Sequence, residues 1–207
     1  GYFSPEWFYQ VNGGKFTYAY KKKEYNTACA GGWQVESKDG TLTKCVGDAE
    51  VANEKLWDGN WLNWATMRRI DVARKVIMGG LATSRVGGGN QTLYGEVPEQ
   101  SERWFKRHFV SGLAVNPYDG DYWYAVKGGY LYVDTDNDGD PTAGFTRYRI
   151  AVEKDITQEL EEFDPDGNLA GVLQQYGTRA RWGNEFFYYG EGNNRQGGYI
   201  ANPTGTN

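Results

Sequence analysis

One helical stretch constrains the fold of this chain more than any other feature. Residues 60–80 form the only long segment in which apolar side chains recur with the period of an α-helix, about 3.6 residues. One half of the helix surface would carry Trp61, Leu62, Ala65, Ile70, Val72, Ala73, Val76 and Ile77. Asp58 or Asn60 can cap the start, and Gly79-Gly80 can end it. The pattern predicts one long central helix that is covered on more than one side, although an ordinary helix packed on a sheet has the same periodicity.

One charged residue falls within the apolar half of this helix. Arg69 lies among the apolar positions, where a buried charge without a partner would be costly. We therefore predict that Arg69 is at least half buried and paired with a carboxylate or with main-chain carbonyls.

The composition outside this stretch favours strands and tight turns. The chain of 207 residues contains 29 Gly and 16 Tyr, its aromatic fraction is 16%, and its apolar runs are short. No run is long and apolar enough to span a membrane. The net charge of −5 and the lack of a basic block argue against a nucleic-acid partner. With His108 as the only histidine and no CxxC motif, zinc and a histidine-based triad are poor interpretations.

Two cysteines flank a turn-rich loop. Cys29 and Cys45 are the only cysteines in the chain. An isolated even pair favours a disulfide formed in an oxidising compartment, and two free structural thiols are the alternative.

The clearest chemical motif follows a predicted β-hairpin. Residues 121–126 and 130–134 alternate like strands around Gly128-Gly129. The second strand leads into Asp134-Thr135-Asp136-Asn137-Asp138-Gly139-Asp140, which places carboxylates at every second position. Such spacing, with a glycine at the bend, lets a loop curl around a hard cation.

This acidic loop is predicted to bind Ca²⁺ in preference to Mg²⁺, because it is flexible and offers many oxygen ligands. Asp134, Asp136 and Asp138 would bind through their side chains, and Asp140 through its carboxylate or main-chain carbonyl. It is not a complete EF-hand, because a phenylalanine stands at the twelfth position; Thr142 or the distant Glu153 could complete the shell. A solvated acidic turn is the alternative.

Several further segments have a weaker signal. We expect a short helix at residues 101–110, a strand at 145–152, a short helix at 171–177 and a strand at 180–189. Residues 164–167, Asp-Pro-Asp-Gly, predict a turn more strongly than a second cation site. Both chain ends are typical of cuts through a longer protein or of the limits of an ordered region.

Three segments resemble one known family. Residues 58–80, D-G-N-W-L-N-W-A-T-M-R-R-I-D-V-A-R-K-V-I-M-G-G, resemble the G-N-F-L-N-W-A-T-M-x-R-I-D-V-x-R-K-x-L-x-G-G signature of the PilY family. The opening G-Y-F-S-P is similar to that family's G-Y-F-D-P segment. Residues 169–200 resemble its G-L-L-Q-K-Y…R-F-G-L segment, without the usual proline before the helix. These proteins are tip-associated adhesins and assembly factors of bacterial type IV pili.

The resemblance implies a partial von Willebrand A-like α/β to α+β layer. On this basis we predict a single domain: a disulfide-containing β-rich segment (1–53), the central helix (54–80), a β-rich insertion with the Asp loop (81–168), and a short helix with a core strand (169–200). The Asp-x-Ser-x-Ser metal motif and the β-propeller of the family are not found in residues 1–207, so no adhesion residue is assigned.

The leading functional hypothesis is a non-enzymatic, calcium-stabilised component of the pilus tip, extracellular, that acts in pilus assembly and surface adhesion. Its expected partners are other tip proteins (minor pilins), the remainder of a longer chain, and a host or abiotic surface. The alternative is a calcium-dependent carbohydrate- or surface-binding module that uses exposed Trp and Tyr side chains. A hydrolase with paired carboxylates is a third hypothesis, but no pair stands in a recognisable acid/base context.

Overall fold

The fold is described by a computed structural model. It covers residues 1–29, 32–47, 54–82, 90–97, 104–112, 114–140, 143–177 and 179, and the main chain of 184–187 and 198–202. The helices are α1 (Gly59–Thr66), α2 (Arg69–Met78) and α3 (Val172–Tyr176), and a 3-10 turn covers Leu160–Glu162. The strands are β1 (Trp7–Asn12), β2 (Lys15–Tyr25), β3 (Trp33–Ser37), β4 (Thr43–Cys45), β5 (Trp57–Asp58), β6 (Leu81–Ala82), β7 (Gln91–Tyr94), β8 (Phe105–Ser111), β9 (Gly120–Lys127), β10 (Tyr130–Asp134), β11 (Phe145–Arg149), β12 (Ala151–Lys154), β13 (Asn184–Phe187) and β14 (Gly198–Asn202).

The strands form two main sheets. Sheet A has the order β4-β3-β2-β12-β7-β6, with β1 paired to β2 and β5. It is mixed, because β12 runs parallel to β2 and antiparallel to β7. Sheet B is antiparallel, with the order β11-β10-β9-β8, and β13 pairs with β14. The chain is therefore an α+β protein with one mixed sheet, one antiparallel sheet and short helices.

Helix α1 links the two sheets through an aromatic core. The Trp61 ring lies 4.8 Å from the Tyr124 ring on β9 and 5.7 Å from the Trp57 ring on β5. Leu62 is fully buried beside them. Because each close aromatic pair adds roughly 0.5–1.5 kcal/mol beyond its buried area, these contacts hold the face of sheet B that carries Tyr124 against the rest of the molecule.

The predicted single long helix is two helices. Asp58 caps α1 as expected, since its carboxylate accepts hydrogen bonds from the amides of Asn60 (2.7 Å) and Trp61 (3.1 Å). The main chain becomes extended at Met67 and Arg68, and α2 begins at the next residue. Helix α2 ends at Gly79, whose φ of 76° is the left-handed stop that the sequence predicts.

Most of the predicted apolar half is exposed on α2. Ile70, Val72, Val76 and Ile77 are all exposed, whereas Trp61, Leu62 and Ala65 on α1 are buried. The prediction for Arg69 is wrong, because this side chain is exposed. The extended residues Met67 and Arg68 change the direction of the chain between α1 and α2. The apolar side chains of α2 therefore do not lie on the same buried face as those of α1.

Two segments differ from their predicted structure. Residues 101–110 were expected to be helical, but β8 covers Phe105–Ser111 as an edge strand of sheet B. Its alternate residues Phe105 and Phe109 pack against the core cluster. The strand expected at 145–152 is two strands, β11 in sheet B and β12 in sheet A, separated at the buried Ile150.

The predicted hairpin and disulfide are confirmed, and the strand near the C-terminus is confirmed in its described part. The hairpin turns at Gly128-Gly129, with Lys127 opposite Tyr130. Cys29 and Cys45 form a disulfide with a Cα–Cα distance of 5.1 Å. The described part of the strand expected at 180–189 is β13. Within the described residues, no helix is long and apolar enough to cross a membrane.

Candidate metal site

The acidic loop joins two neighbouring strands of sheet B. It leaves β10 at Asp134 and returns at Phe145 on β11, and these two residues lie opposite each other in the sheet. On the other side of β10, Asp134 lies opposite Trp123 on β9. The ends of three strands therefore set the position of the loop.

Three carboxylates of this loop converge. Carboxylate oxygens of Asp134, Asp136 and Asp138 all lie within 4.8 Å of one another, so the group could hold a metal ion. Asp134 is buried, and the other two are exposed. Asp140 is not part of this group, and its amide donates a 2.7 Å hydrogen bond to the Asp138 carboxylate.

Hydrogen bonds within the loop already fix its curvature. The two carboxylate oxygens of Asp134 accept bonds from the amides of Asn137 (2.9 Å) and Gly139 (2.7 Å). The Thr135 amide donates a 2.8 Å bond to the carbonyl of Gly144, which closes the loop against β11. Gly144 has a φ of +58°, and a Cβ at this position would collide with the Asp136 carboxylate.

The electrostatics of the loop favour neutralisation. The pKa of Asp136 is raised above its ordinary value of 3.8, mainly by a hydrogen bond with Asp134 and also by the negative charges of Asp138 and Asp134. Like charges this close disfavour the ionised form unless a proton or a cation compensates them. A hard cation would satisfy all three carboxylates at once.

The other oxygen donors considered from the sequence are not part of this group. Glu153 lies on β12 in sheet A, where its carboxylate accepts a hydrogen bond from Asn90 (3.0 Å). Thr142 lies outside the described residues. At residues 164–167, the Asp164 carboxylate accepts bonds from the amides of Asp166 and Asn168, as a turn requires.

Sequence reasoning missed a buried junction at Asp71. Its carboxylate accepts hydrogen bonds from the Tyr2 hydroxyl (3.0 Å), the Arg68 Nε (2.7 Å) and the Glu96 amide (3.0 Å). It also accepts one from the Arg68 amide and so caps the start of α2. Asp71 lies within the segment that resembles the PilY signature, which is the only sequence signal that marks it.

A second buried network surrounds Lys154. Its ammonium group is fully buried and contacts the carboxylates of Glu159 (2.8 Å) and Glu162 (3.1 Å). The Tyr18 hydroxyl donates a hydrogen bond to Glu159, and Lys75 of α2 pairs with Glu162 at 2.9 Å. Burial alone would raise the pKa of Glu162, but the charges of Lys154 and Lys75 outweigh it and hold the pKa below its ordinary value. Lys154, Glu159 and Glu162 therefore all have partners of opposite charge, and a structural role explains their burial.

Together, these features define a disulfide-bonded α+β protein with a candidate cation-binding loop. A family model described as the PilY1 homolog, small alpha/beta domain matches residues 1–119. Because this match covers more than half of the 207 residues, the chain belongs to the PilY1 family, which is associated with type IV pili. No curated protein and no solved structure matches the chain significantly.

Proposed function

We propose that this chain is a non-enzymatic part of a type IV pilus tip complex, and that it acts in pilus assembly and surface adhesion. The observation that carries the proposal is the family match over residues 1–119, which includes the segment that forms α1 and α2. The disulfide between Cys29 and Cys45 fits an extracellular location. We also propose that the chain forms part of a von Willebrand A-like region and contacts minor pilins.

A chromosomal deletion tests this role. The encoding bacterium would be compared with a strain lacking residues 1–207 and with the same strain carrying a restored copy. We expect the deletion to reduce both the number of pili seen by electron microscopy and attachment to a surface. Normal piliation together with normal attachment in the deletion strain would contradict the proposal.

We further propose that Asp134, Asp136 and Asp138 bind Ca²⁺, with Asp140 as an additional ligand. The convergence of the first three carboxylates supports a cation, and the number of oxygen donors that the loop offers favours Ca²⁺ over Mg²⁺. Without the bidentate glutamate of an EF-hand, the dissociation constant should be about 10⁻⁴–10⁻³ M, as in extracellular modules.

Calorimetric titration with CaCl₂ tests the ion. We expect binding by the wild-type protein, and its loss in Asp136→Ala and Asp138→Ala. Asp166→Ala removes an exposed carboxylate from a different turn and should leave binding unchanged. If titration of the wild-type protein with millimolar Ca²⁺ gives no heat of binding of either sign, the loop is a solvated acidic turn.

One observation favours the alternative function, a carbohydrate- or surface-binding module. Aromatic side chains lie directly beside the acidic loop: the Tyr132 and Phe145 rings are 5.0 Å apart, and the Trp123 indole lies against Gly139. Such partly exposed rings beside a cation loop are suited to contact with sugar rings.

A further inference from the structure

The face of sheet B that points away from the aromatic core carries rings and cations together. Alternation along the strands and the cross-strand register place Tyr130, Tyr132, Lys127, Arg147 and Arg149 on this face. Trp104, just before β8, joins them because its ring lies 4.9 Å from that of Tyr132. We call these six residues the aromatic-cationic face.

Three cations of this face lie beside aromatic rings. The Lys127 ammonium lies 5.0 Å from the centre of the Trp104 ring, and the Arg147 guanidinium lies 5.1 Å from that of Tyr130. Arg149 lies 4.7 Å from the Tyr94 ring. Among the residues that the structure describes, none of these three cations has a carboxylate within ion-pair distance. Their positive charge therefore remains uncompensated within the described part of the chain.

We propose that the aromatic-cationic face binds an anionic polysaccharide of the polyuronate class. This inference rests on the adhesion part of the proposed function and names its ligand. Arg147 and Arg149 lie two residues apart on one strand, roughly 6.8 Å, so their guanidinium groups can each meet a carboxylate of an extended polymer. Arginine suits this task because its planar fork of donors matches the geometry of a carboxylate. The flat apolar rings between the cations supply contact area for sugar rings.

The overall charge of the chain separates a polyuronate from a nucleic acid. The chain has a net charge of −5, and the exposed Asp136 and Asp138 lie at one end of the same sheet. Double-stranded DNA carries one negative charge per roughly 1.7 Å and needs dense basic coverage. A polymer with one carboxylate per sugar can meet the few local cations with far less repulsion from the acidic remainder of the protein.

Binding to polygalacturonate tests the proposal. The purified protein would be titrated with this polymer at low salt in excess chelator, so that Ca²⁺ takes no part. We expect binding that weakens with added salt, and at least a tenfold increase in the dissociation constant for the double variant Arg147→Gln/Arg149→Gln. The fully methyl-esterified polymer has the same backbone without the charges and should not bind measurably.

A matched control removes two cations from the other sheet. Lys21→Gln/Lys23→Gln changes the net charge by the same amount as the double arginine variant. These lysines lie on β2 in sheet A and pair with Glu6 (3.9 Å) and Glu36 (2.5 Å). The dissociation constant of this control variant for polygalacturonate should differ less than twofold from that of the wild-type protein. Equal loss in both double variants, no binding by the wild-type protein, or tighter binding to a single-stranded oligonucleotide of equal charge would each overturn the proposal.

An assay in cells separates failure of the polyuronate proposal from failure of the proposed pilus function. A strain carrying Arg147→Gln/Arg149→Gln should keep normal numbers of pili and lose attachment to a polygalacturonate-coated surface. Normal attachment to that surface would overturn the ligand while leaving the pilus role intact. Loss of pili in this strain would contradict the assignment of these residues to adhesion alone.

Discussion

At the scale of single residues, Asp71 should contribute far more to stability than Arg69. The side chain of Asp71 is fully buried, and that of its partner Arg68 is only 10% exposed. We expect Asp71→Ala to lower the free energy of unfolding by about 3–5 kcal/mol, because Arg68 would keep a largely buried charge without its carboxylate. Arg69→Ala should change it by no more than about 0.5 kcal/mol, since Arg69 is exposed. Urea denaturation measures both, and equal effects would contradict this assignment.

Asp136 gives a prediction about pH. Its pKa in the folded protein is raised above the ordinary 3.8, so without metal its ionisation opposes folding as the pH rises through that range. Below pH 3.8 this unfavourable contribution disappears. We expect Asp136→Asn to raise the melting temperature in chelator at neutral pH, and to abolish the further rise that Ca²⁺ gives the wild-type protein.

Differential scanning calorimetry at several pH values checks this result. The advantage of Asp136→Asn over the wild-type protein should shrink as the pH falls towards 3.8. If Asp136→Asn is less stable than the wild-type protein in chelator at neutral pH, this result contradicts repulsion among the aspartates.

At the scale of elements, the two helices should respond differently to the same kind of substitution. Leu62 of α1 is fully buried, and Val76 of α2 is 56% exposed. Leu62→Ala should destabilise the protein by about 2–5 kcal/mol, because it leaves a cavity in the core. Val76→Ala should cost no more than about 0.5 kcal/mol, as for a surface position. A large loss for Val76→Ala would mean that α2 is covered in solution.

The same elements show how far the sequence could predict the fold. Local signals were sufficient for the start of α1 at Asp58, the end of α2 at Gly79 and the hairpin at Gly128-Gly129. The helix break at Met67 and Arg68 has neither Gly nor Pro to mark it, and Asp71, which caps α2, also bonds Tyr2 and Glu96, which are distant in sequence. The helical period of the apolar residues continues across this break, so the period alone predicts a single helix.

The acidic loop was easier to predict than its surroundings. The alternate aspartates are a local pattern, and the structure brings three of them together. The aromatic-cationic face arises from the register of β9, β10 and β11, and Trp104 joins it from just before β8, in a segment that the sequence predicts to be helical. The face combines residues from neighbouring strands, so no single segment carries a signal for it.

At the scale of the whole molecule, the ion should stabilise one sheet and not the other. The loop links β10 to β11 in sheet B, whereas the disulfide joins Cys29 to the end of β4 in sheet A. We expect Ca²⁺ to slow amide hydrogen exchange in β9–β11 and to leave β2 and β3 unchanged. Mass spectrometry of peptic fragments measures this, and uniform protection of both sheets would contradict a local role.

The burial of Lys154 has a practical consequence. Its ammonium group has no exposure to solvent, while Lys21 and Lys23 are exposed to different degrees on β2. An amine-reactive label can therefore reach Lys154 only when Glu159 and Glu162 separate from it, which requires the 3-10 turn and β12 to come apart. The mass of one peptide would then report how often the core of this protein opens.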